Sequence, residues 1–153
     1  MKTAGAIRIR KATTRDLGEI ERCAIAAYTK YIDRIGKKPA PMVANFATSI
    51  SEGTVSVAIS RQAITGYIVF FPKDQSLQIE NVAVFPSFTG AGIGRLLLEH
   101  AESCARALSL PAIELYTNAA MFENISMYSY LGYSETARKE EEGFHRVYFR
   151  KSL

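Results

Sequence analysis

Between Val82 and Leu97 the chain reads VAVFPSFTGAGIGRLL. β-forming residues stop at a proline, glycines follow at alternate positions (Gly90, Gly92 and Gly94), and a leucine-rich run begins at once. Glycine weakens an element interior by about 0.5–1 kcal/mol relative to alanine. A plain left-handed turn needs one glycine, so this spacing asks for a further reason. A glycine-rich strand-to-helix turn exposes backbone N–H groups at a helix N-terminus that carries about half a positive charge. Side chains there would keep a ligand away from those amides. The combination suits phosphate, above all pyrophosphate, and requires a strand that feeds directly into a helix.

The remaining pattern supplies the rest of a mixed α/β domain. Alternation predicts strands over Ala6–Arg10, Thr54–Ser60, Ala63–Phe71, Leu77–Phe85, Ala112–Thr117, Tyr133–Arg138 and Phe144–Lys151. Helical spacing predicts Thr14–Tyr31, Met42–Glu52, Gly92–Ser109 and Met121–Leu131. Thr13 and Asp16 open the first helix as a short capping box, Gly53 and Gly132 close two others, and Pro111 stops the one after the glycines. Arg61–Gln62 is a tight hairpin connection and Gly66 lies inside the strand that follows. The KEEE run, Lys139–Glu142, reads as a solvated hairpin turn. The order β α α β β β α β α β β, with no repeat or linker, fits one domain over residues 1–153.

Composition narrows the class. Hydrophobic residues make up 48% and charged residues 22%, as in ordinary globular chains. No apolar run reaches the roughly 18–20 residues of a membrane span. The start MKTAGAIRIRKATT carries Lys2 but lacks the apolar core of a signal peptide, so a cytoplasmic location and no membrane partner are expected. The net charge is +4, but the positives are dispersed and RIGKKP (Arg34–Pro39) is the densest cluster. That excludes a nucleic-acid stripe while still attracting a polyanionic small molecule. Cys23 and Cys104 fall on apolar helical faces and read as buried free thiols; a zinc site would need more ligands at closer spacing, so no metal is expected. His100 and His145 read as structural.

Three pyrophosphate schemes compete for the loop. A P-loop needs Gly-Lys-Ser/Thr, whereas Gly94 is followed by Arg95 and Leu96. A dinucleotide fingerprint is G-x-G-x-x-G in an opening βαβ unit, whereas this chain has G-x-G-x-G after a meander. The third scheme is a coenzyme A loop. On VAVFPSFTGAGIGRLL, on NISMYSYLGY (Asn124–Tyr133) and on the element order, the sequence resembles the GNAT N-acetyltransferases. The family loop reads Arg/Gln-Gly-x-Gly-x-Gly/Ala after a V-x-V-x-P strand, and Gly90, Gly92 and Gly94 match it. Thr89 stands at the usual Arg/Gln place, so the phosphate contact there falls to its hydroxyl or to Arg95. In the later motif Tyr128, Gly132 and Tyr133 match; Phe122 takes the usual Asn place, flanked by Asn118 and Asn124.

The resemblance implies a single-domain fold with a central, mostly antiparallel sheet, splayed between its fourth and fifth strands, with helices on both faces. It implies acetyl-CoA as cosubstrate, held by Val82, Ala83 and Val84 on the strand, by Thr89, Gly90, Ala91, Gly92, Ile93, Gly94 and Arg95, and by Asn118 and Asn124. Tyr128 would protonate the leaving thiolate, although a tyrosine at that place in an amphipathic helix is also an ordinary core residue. Glu80 shares the face of Val82 by alternation and is the candidate base; its alternative is an exposed glutamate paired with a basic neighbour. Tyr28, Tyr31, Phe46 and Tyr67 are the candidate acceptor-site residues and are as easily core. The acceptor is a small-molecule or peptide amine, and a homodimer is left open. The reading is acetyl transfer from acetyl-CoA to a primary amine by direct attack in a ternary complex; the rival is an inactive GNAT-fold module that binds acyl-CoA as a sensor or partner-binding protein.

Overall fold

A computed structural model describes residues 5–153; Lys2 lies outside them. Seven strands are present: β1 (Arg8–Lys11), β2 (Val55–Ser60), β3 (Ala63–Lys73), β4 (Ser76–Val84), β5 (Ala112–Asn118), β6 (Ser134–Glu141) and β7 (Phe144–Ser152). The helices are α1 (Leu17–Tyr28), α2 (Ile32–Ile35), α3 (Phe46–Ser51), α4 (Ile93–Ala107) and α5 (Phe122–Tyr130). The strands form one mixed sheet in the order β1-β2-β3-β4-β5-β7-β6. The β1–β2, β2–β3, β5–β7 and β6–β7 pairs are antiparallel and β4–β5 is parallel. This is the expected mixed α/β fold.

The chain divides into two compact units. The first holds the described residues up to Phe70 together with Asn81–Ala101, and the second holds Phe71–Glu80 with Glu102–Leu153. Strands β3 and β4 and helix α4 run through both. In the first unit α1 turns Ile20, Cys23 and Ala24 inward, and the core continues through Val55, Val57, Tyr67, Ile68 and Leu97. In the second, Leu77, Ile113, Leu115, Val147 and Phe149 form the core with Tyr128 and Tyr133.

Several boundaries differ from the sequence reading for local reasons. The helix expected over Thr14–Tyr31 is three pieces: a 3₁₀ turn at Thr14–Asp16, α1, and a 3₁₀ turn at Thr29–Tyr31 that leads into α2. Gly36, at φ +86°, then ends α2. The helix expected over Met42–Glu52 starts only at Phe46, because Asn45 caps it by accepting the Thr48 N–H at 3.1 Å. KEEE is not a turn. Lys139–Glu141 belong to β6, and Glu142 and Gly143, both at positive φ, make the reversal. The alternation of β2 predicts one polar face, yet every residue of it is buried, including the small side chains of Ser56 and Ser60. Cys23 is fully buried and its thiol is pushed up to about 12, by burial first and by Glu19 second; Cys104 is only half-buried. No helix among the described residues is long and apolar enough to cross a membrane.

The N-terminal cap is an ion-paired capping box. Asp16 accepts the Thr13 N–H at 2.8 Å and takes the Arg10 guanidinium in a fork at 2.8 and 3.1 Å. The Arg10 hydrogen bonds, outweighing burial, hold the Asp16 carboxyl below its usual range. Asp16→Asn should therefore lower stability by about 1–2 kcal/mol at neutral pH. The difference should be full above about pH 4, the ordinary carboxylate value, and vanish as pH falls through the lower folded-state pKa. Urea unfolding of both proteins across pH 2–7 checks this; a difference independent of pH would mean that charge plays no part.

Candidate active site

The parallel ladder between β4 and β5 is short. It runs from Ser76↔Ala112 to Ile79↔Leu115 and stops. From Glu80 to Val84, β4 has no rung to β5. Along β4 the side chains alternate: Leu77, Ile79, Asn81 and Ala83 are buried, whereas Gln78, Val82 and Val84 are half-buried and Glu80 is exposed. Glu80, Val82 and Val84 thus share the open face, as the period of two requires.

Gly66 sets how β3 meets this stretch. A Cβ at Gly66 would lie 2.6 Å from the Ala83 carbonyl oxygen and 3.3 Å from Val84 Cα and Leu97 Cδ1. The glycine is needed for close backbone approach, not for an unusual φ. Phe85 N–H donates to Thr65 O at 2.9 Å just beyond it, and Pro86 opens a 3₁₀ turn to Phe88.

Gly90 and Gly92 take φ of +85° and +80°, and space is open around Gly92. Gly94, inside the first turn of α4, has Val84 Cγ2 at 3.8 Å as its near neighbour. Thr89 N–H donates to Pro86 O, Ala91 N–H to Phe88 O, and Leu96 N–H to Gly92 O. The N–H groups of Gly90, Gly92, Ile93, Gly94 and Arg95 donate to no protein acceptor among the described residues. Apart from buried Ile93, these residues lie at or near the surface. Such a row of unbonded amides fits the oxygens of a pyrophosphate. Thr89 is exposed, and Arg95 is exposed and paired with Glu99 at 2.9 Å, a surface pair weak enough to exchange for a phosphate.

The second unit carries Tyr128, Glu80 and the asparagines. Tyr128 is buried on α5, its ring 5.7 Å from that of Phe149 and 5.8 Å from that of Tyr133. Its carbonyl accepts the Tyr133 N–H at 3.0 Å past Gly132, which sits at φ +95°. Tyr133 is anchored in turn: Glu102, buried in α4, lies 3.5 Å from its hydroxyl and 2.9 Å from Lys151 Nζ. Burial and the Glu102 carboxylate hold the Tyr133 phenol far above its ordinary value. Asn118 accepts the Ala120 N–H at 2.9 Å, and Asn124 lies against Met121 Sδ at 3.7 Å, so both side chains serve the turn into α5. Glu80 has no hydrogen-bond or ion-pair partner among the described residues. Beside it Tyr116 stacks on Tyr148 at 5.4 Å under the Arg146 guanidinium. Burial raises the Tyr116 phenol; Arg146 opposes this, and Glu80, Glu142 and Glu141 add to it.

The proposed acceptor residues are inside the first unit. Tyr28, Tyr31, Phe46 and Tyr67 are all buried; Phe46 meets Tyr67 edge-on at 5.2 Å, and Tyr28 lies 6.3 Å from Tyr31. The sequence reading missed Asn81, a polar residue in the buried phase of LQIENVAV; its phase was the available signal. It also missed Tyr116, whose place beside Glu80 depends on the β4–β5 register.

The chain belongs to the acetyltransferase (GNAT) family, which it matches over residues 27–133. No curated relative matches the sequence. Among solved structures it is similar to the ribosomal-protein-S18-alanine N-acetyltransferase of Escherichia coli (17% identity, TM-score 0.79, covering 97% of this chain and 94% of that one). It is similar to the PaiA N-acetyltransferase of Thermoplasma acidophilum, solved in complex with coenzyme A (18%, 0.77, 97% and 100%). It is also similar to a GCN5-related N-acetyltransferase of Rhodopseudomonas palustris (17%, 0.81, 100% and 99%). At these identities the likeness is one of fold.

Gly66→Ala should destabilise the protein by about 1–3 kcal/mol, because backbone and not a flexible side chain must yield. Gly92→Ala, in open space, should lose only the left-handed preference, about 1 kcal/mol. Thermal unfolding of both variants checks the ranking; an equal or reversed order would remove the close approach at Gly66.

Proposed function

We propose that the protein transfers an acetyl group from acetyl-CoA to a primary amine of a small molecule or peptide, by direct attack in a ternary complex. The observation that carries the reading is the row of unbonded amides at Gly90, Gly92, Ile93, Gly94 and Arg95, in a chain of this family. Those amides, with Ala91 in the turn and Thr89 or Arg95 at its edge, would hold the pyrophosphate. The Val82–Val84 backbone, beyond the last β5 rung, would pair with the pantetheine arm and turn one N–H to the thioester oxygen. Such a donor is worth about 3–4 kcal/mol of barrier. Asn118 and Asn124, which support the turn into α5, would add contacts to the cosubstrate.

Two proton transfers remain. An amine of pKa about 10.4 is neutral to about 10⁻³·⁴ at pH 7, which costs about 4.6 kcal/mol. Glu80, exposed and unpaired on the face of Val82, would accept that proton, directly or through water. Tyr128 would protonate the leaving sulfur. A phenol near pKa 10 serving a thiol near 8.5 works uphill by about 2 kcal/mol, so its effect is moderate. Tyr28, Tyr31, Phe46 and Tyr67 would shape the acceptor side from within, as packed support. The rival reading, an acyl-CoA-binding module without transfer, draws on Thr89 at the place where the family usually has Arg or Gln.

Thiol release from acetyl-CoA across a panel of amines separates the two. Transfer to at least one primary amine is expected; binding without release to any would establish the rival. Tyr128→Phe should lower kcat about ten- to a thousandfold and leave the acetyl-CoA KM unchanged. An equal kcat, with chemistry limiting, would return Tyr128 to the core. Glu80→Gln should lose more kcat/KM at pH 7 than near pH 10, where the amine arrives neutral. A loss flat with pH would make Glu80 a positioning group instead of the base.

A further inference from the structure

Asn81 and its neighbours pose a hydrogen-bonding problem whose solution bears on the site. Tyr28 Oη lies 2.9 Å from the Val82 carbonyl oxygen and 3.0 Å from Asn81 Oδ1. Placed that way, one hydroxyl hydrogen faces two acceptors and can serve one. Nearby, Tyr67 Oη is fully buried and has no partner at hydrogen-bond geometry, although the Asn81 amide lies close enough to act on the phenol. A buried polar group without a partner costs about 1–3 kcal/mol.

Turning the Asn81 amide by 180° about its last bond resolves the first and turns an acceptor toward the second. The two ends of an amide are assigned from the network around them. With Nδ2 toward Tyr28 and Oδ1 toward Tyr67, the donors run in one direction. Asn81 Nδ2 then donates to Tyr28 Oη and Tyr28 donates to the Val82 carbonyl, while Oδ1 is turned toward Tyr67 as an acceptor that the phenol would reach by a small shift. The Tyr28 hydroxyl then has one donor and one acceptor, and no acceptor faces another.

We infer that Tyr67, Asn81 and Tyr28 form a buried hydrogen-bond chain that acts as a positioning device for the Val82 backbone N–H at the thioester. The chain grips β4 at two points, the Asn81 side chain and the Val82 carbonyl, and the Val82 N–H lies between them. This grip comes just past Ile79, the last residue that β5 holds. The inference rests on the proposed acetyl transfer and assigns the two tyrosines a role other than contact with the acceptor.

The test uses acetyl-CoA labelled with carbon-13 at the thioester carbonyl. Its stretching band, read by isotope-edited infrared on the bound complex, reports the hydrogen bond to that oxygen without any acceptor present. The parent should shift the band to lower wavenumber. Tyr28→Phe should abolish most of the shift and lower kcat about tenfold, less than removal of a donor outright. The acetyl-CoA KM should stay within about twofold and the shape of the pH profile should not change, because the chain positions and does not titrate. Tyr67→Phe removes only the far hydroxyl; it should show the same pattern at about threefold, and it carries the test if Tyr28→Phe does not fold.

An unchanged band and kcat in both variants would overturn the chain. So would a loss that appears equally in KM, which marks general loosening of the core. A parent that binds acetyl-CoA with an unshifted band would also overturn it, since no N–H then meets the thioester. A parent that shifts the band but releases thiol to no amine would defeat the transfer reading alone, and loss of the shift in Tyr28→Phe would still support the chain.

Discussion

Strand β4 is hydrogen-bonded to β5 only as far as Ile79↔Leu115, and the candidate site depends on that early end. Backbone N–H and C=O groups must find partners or remain open to something else. Beyond Ile79 the strand is kept in place by other means. Gly66 lets the Ala83 carbonyl approach the backbone of β3, and the Tyr28 hydroxyl takes the Val82 carbonyl. The strand can therefore stay extended while its free edge remains available. Pro86 then breaks it, and Gly90 and Gly92 turn the chain into α4 with a row of amides unspent.

Electrostatics divide along the same lines. Around the α4 N-terminus the field is that of a helix dipole and unbonded amides, with Arg95 held only by an exposed partner. On the open face of the second unit, carboxylates gather instead: Glu80, Glu141 and Glu142 all act on Tyr116, and Arg146 is clasped by the latter two. An anionic cosubstrate suits the first environment and a cationic amine the second, in keeping with the proposed transfer.

Much of the site was legible in one dimension because it is local. The positive φ at Gly90 and Gly92 follows from their place between strand and helix, and the shared face of Glu80, Val82 and Val84 follows from the strand period. Gly132, as the residue that closes α5 ahead of Tyr133, was equally readable. Long apolar runs such as α4 were placed to within a residue or two. The weaker periodicities failed at their ends: capping by Asn45 competes with the apolar spacing of Met42 and Val43, and the acidic KEEE run hides a strand whose turn needs only Glu142 and Gly143.

By itself the sequence determined the α/β order, the glycine loop between strand and helix, and the family, since each depends on residues close together in the chain. The tertiary structure alone decided which groups meet across it. Gly66 against the Ala83 carbonyl, Tyr28 on Val82, Asn81 beside Tyr67, and Glu80 next to Tyr116 join residues 14 to 54 positions apart along the chain. Their contacts depend on strand register and on the angle at which α1 lies on the sheet, and no local propensity encodes either. The burial of Tyr28, Tyr31, Phe46 and Tyr67 belongs to the same class. An aromatic side chain at helical spacing is apolar enough for a core and polar enough for a pocket, and only packing chooses between them.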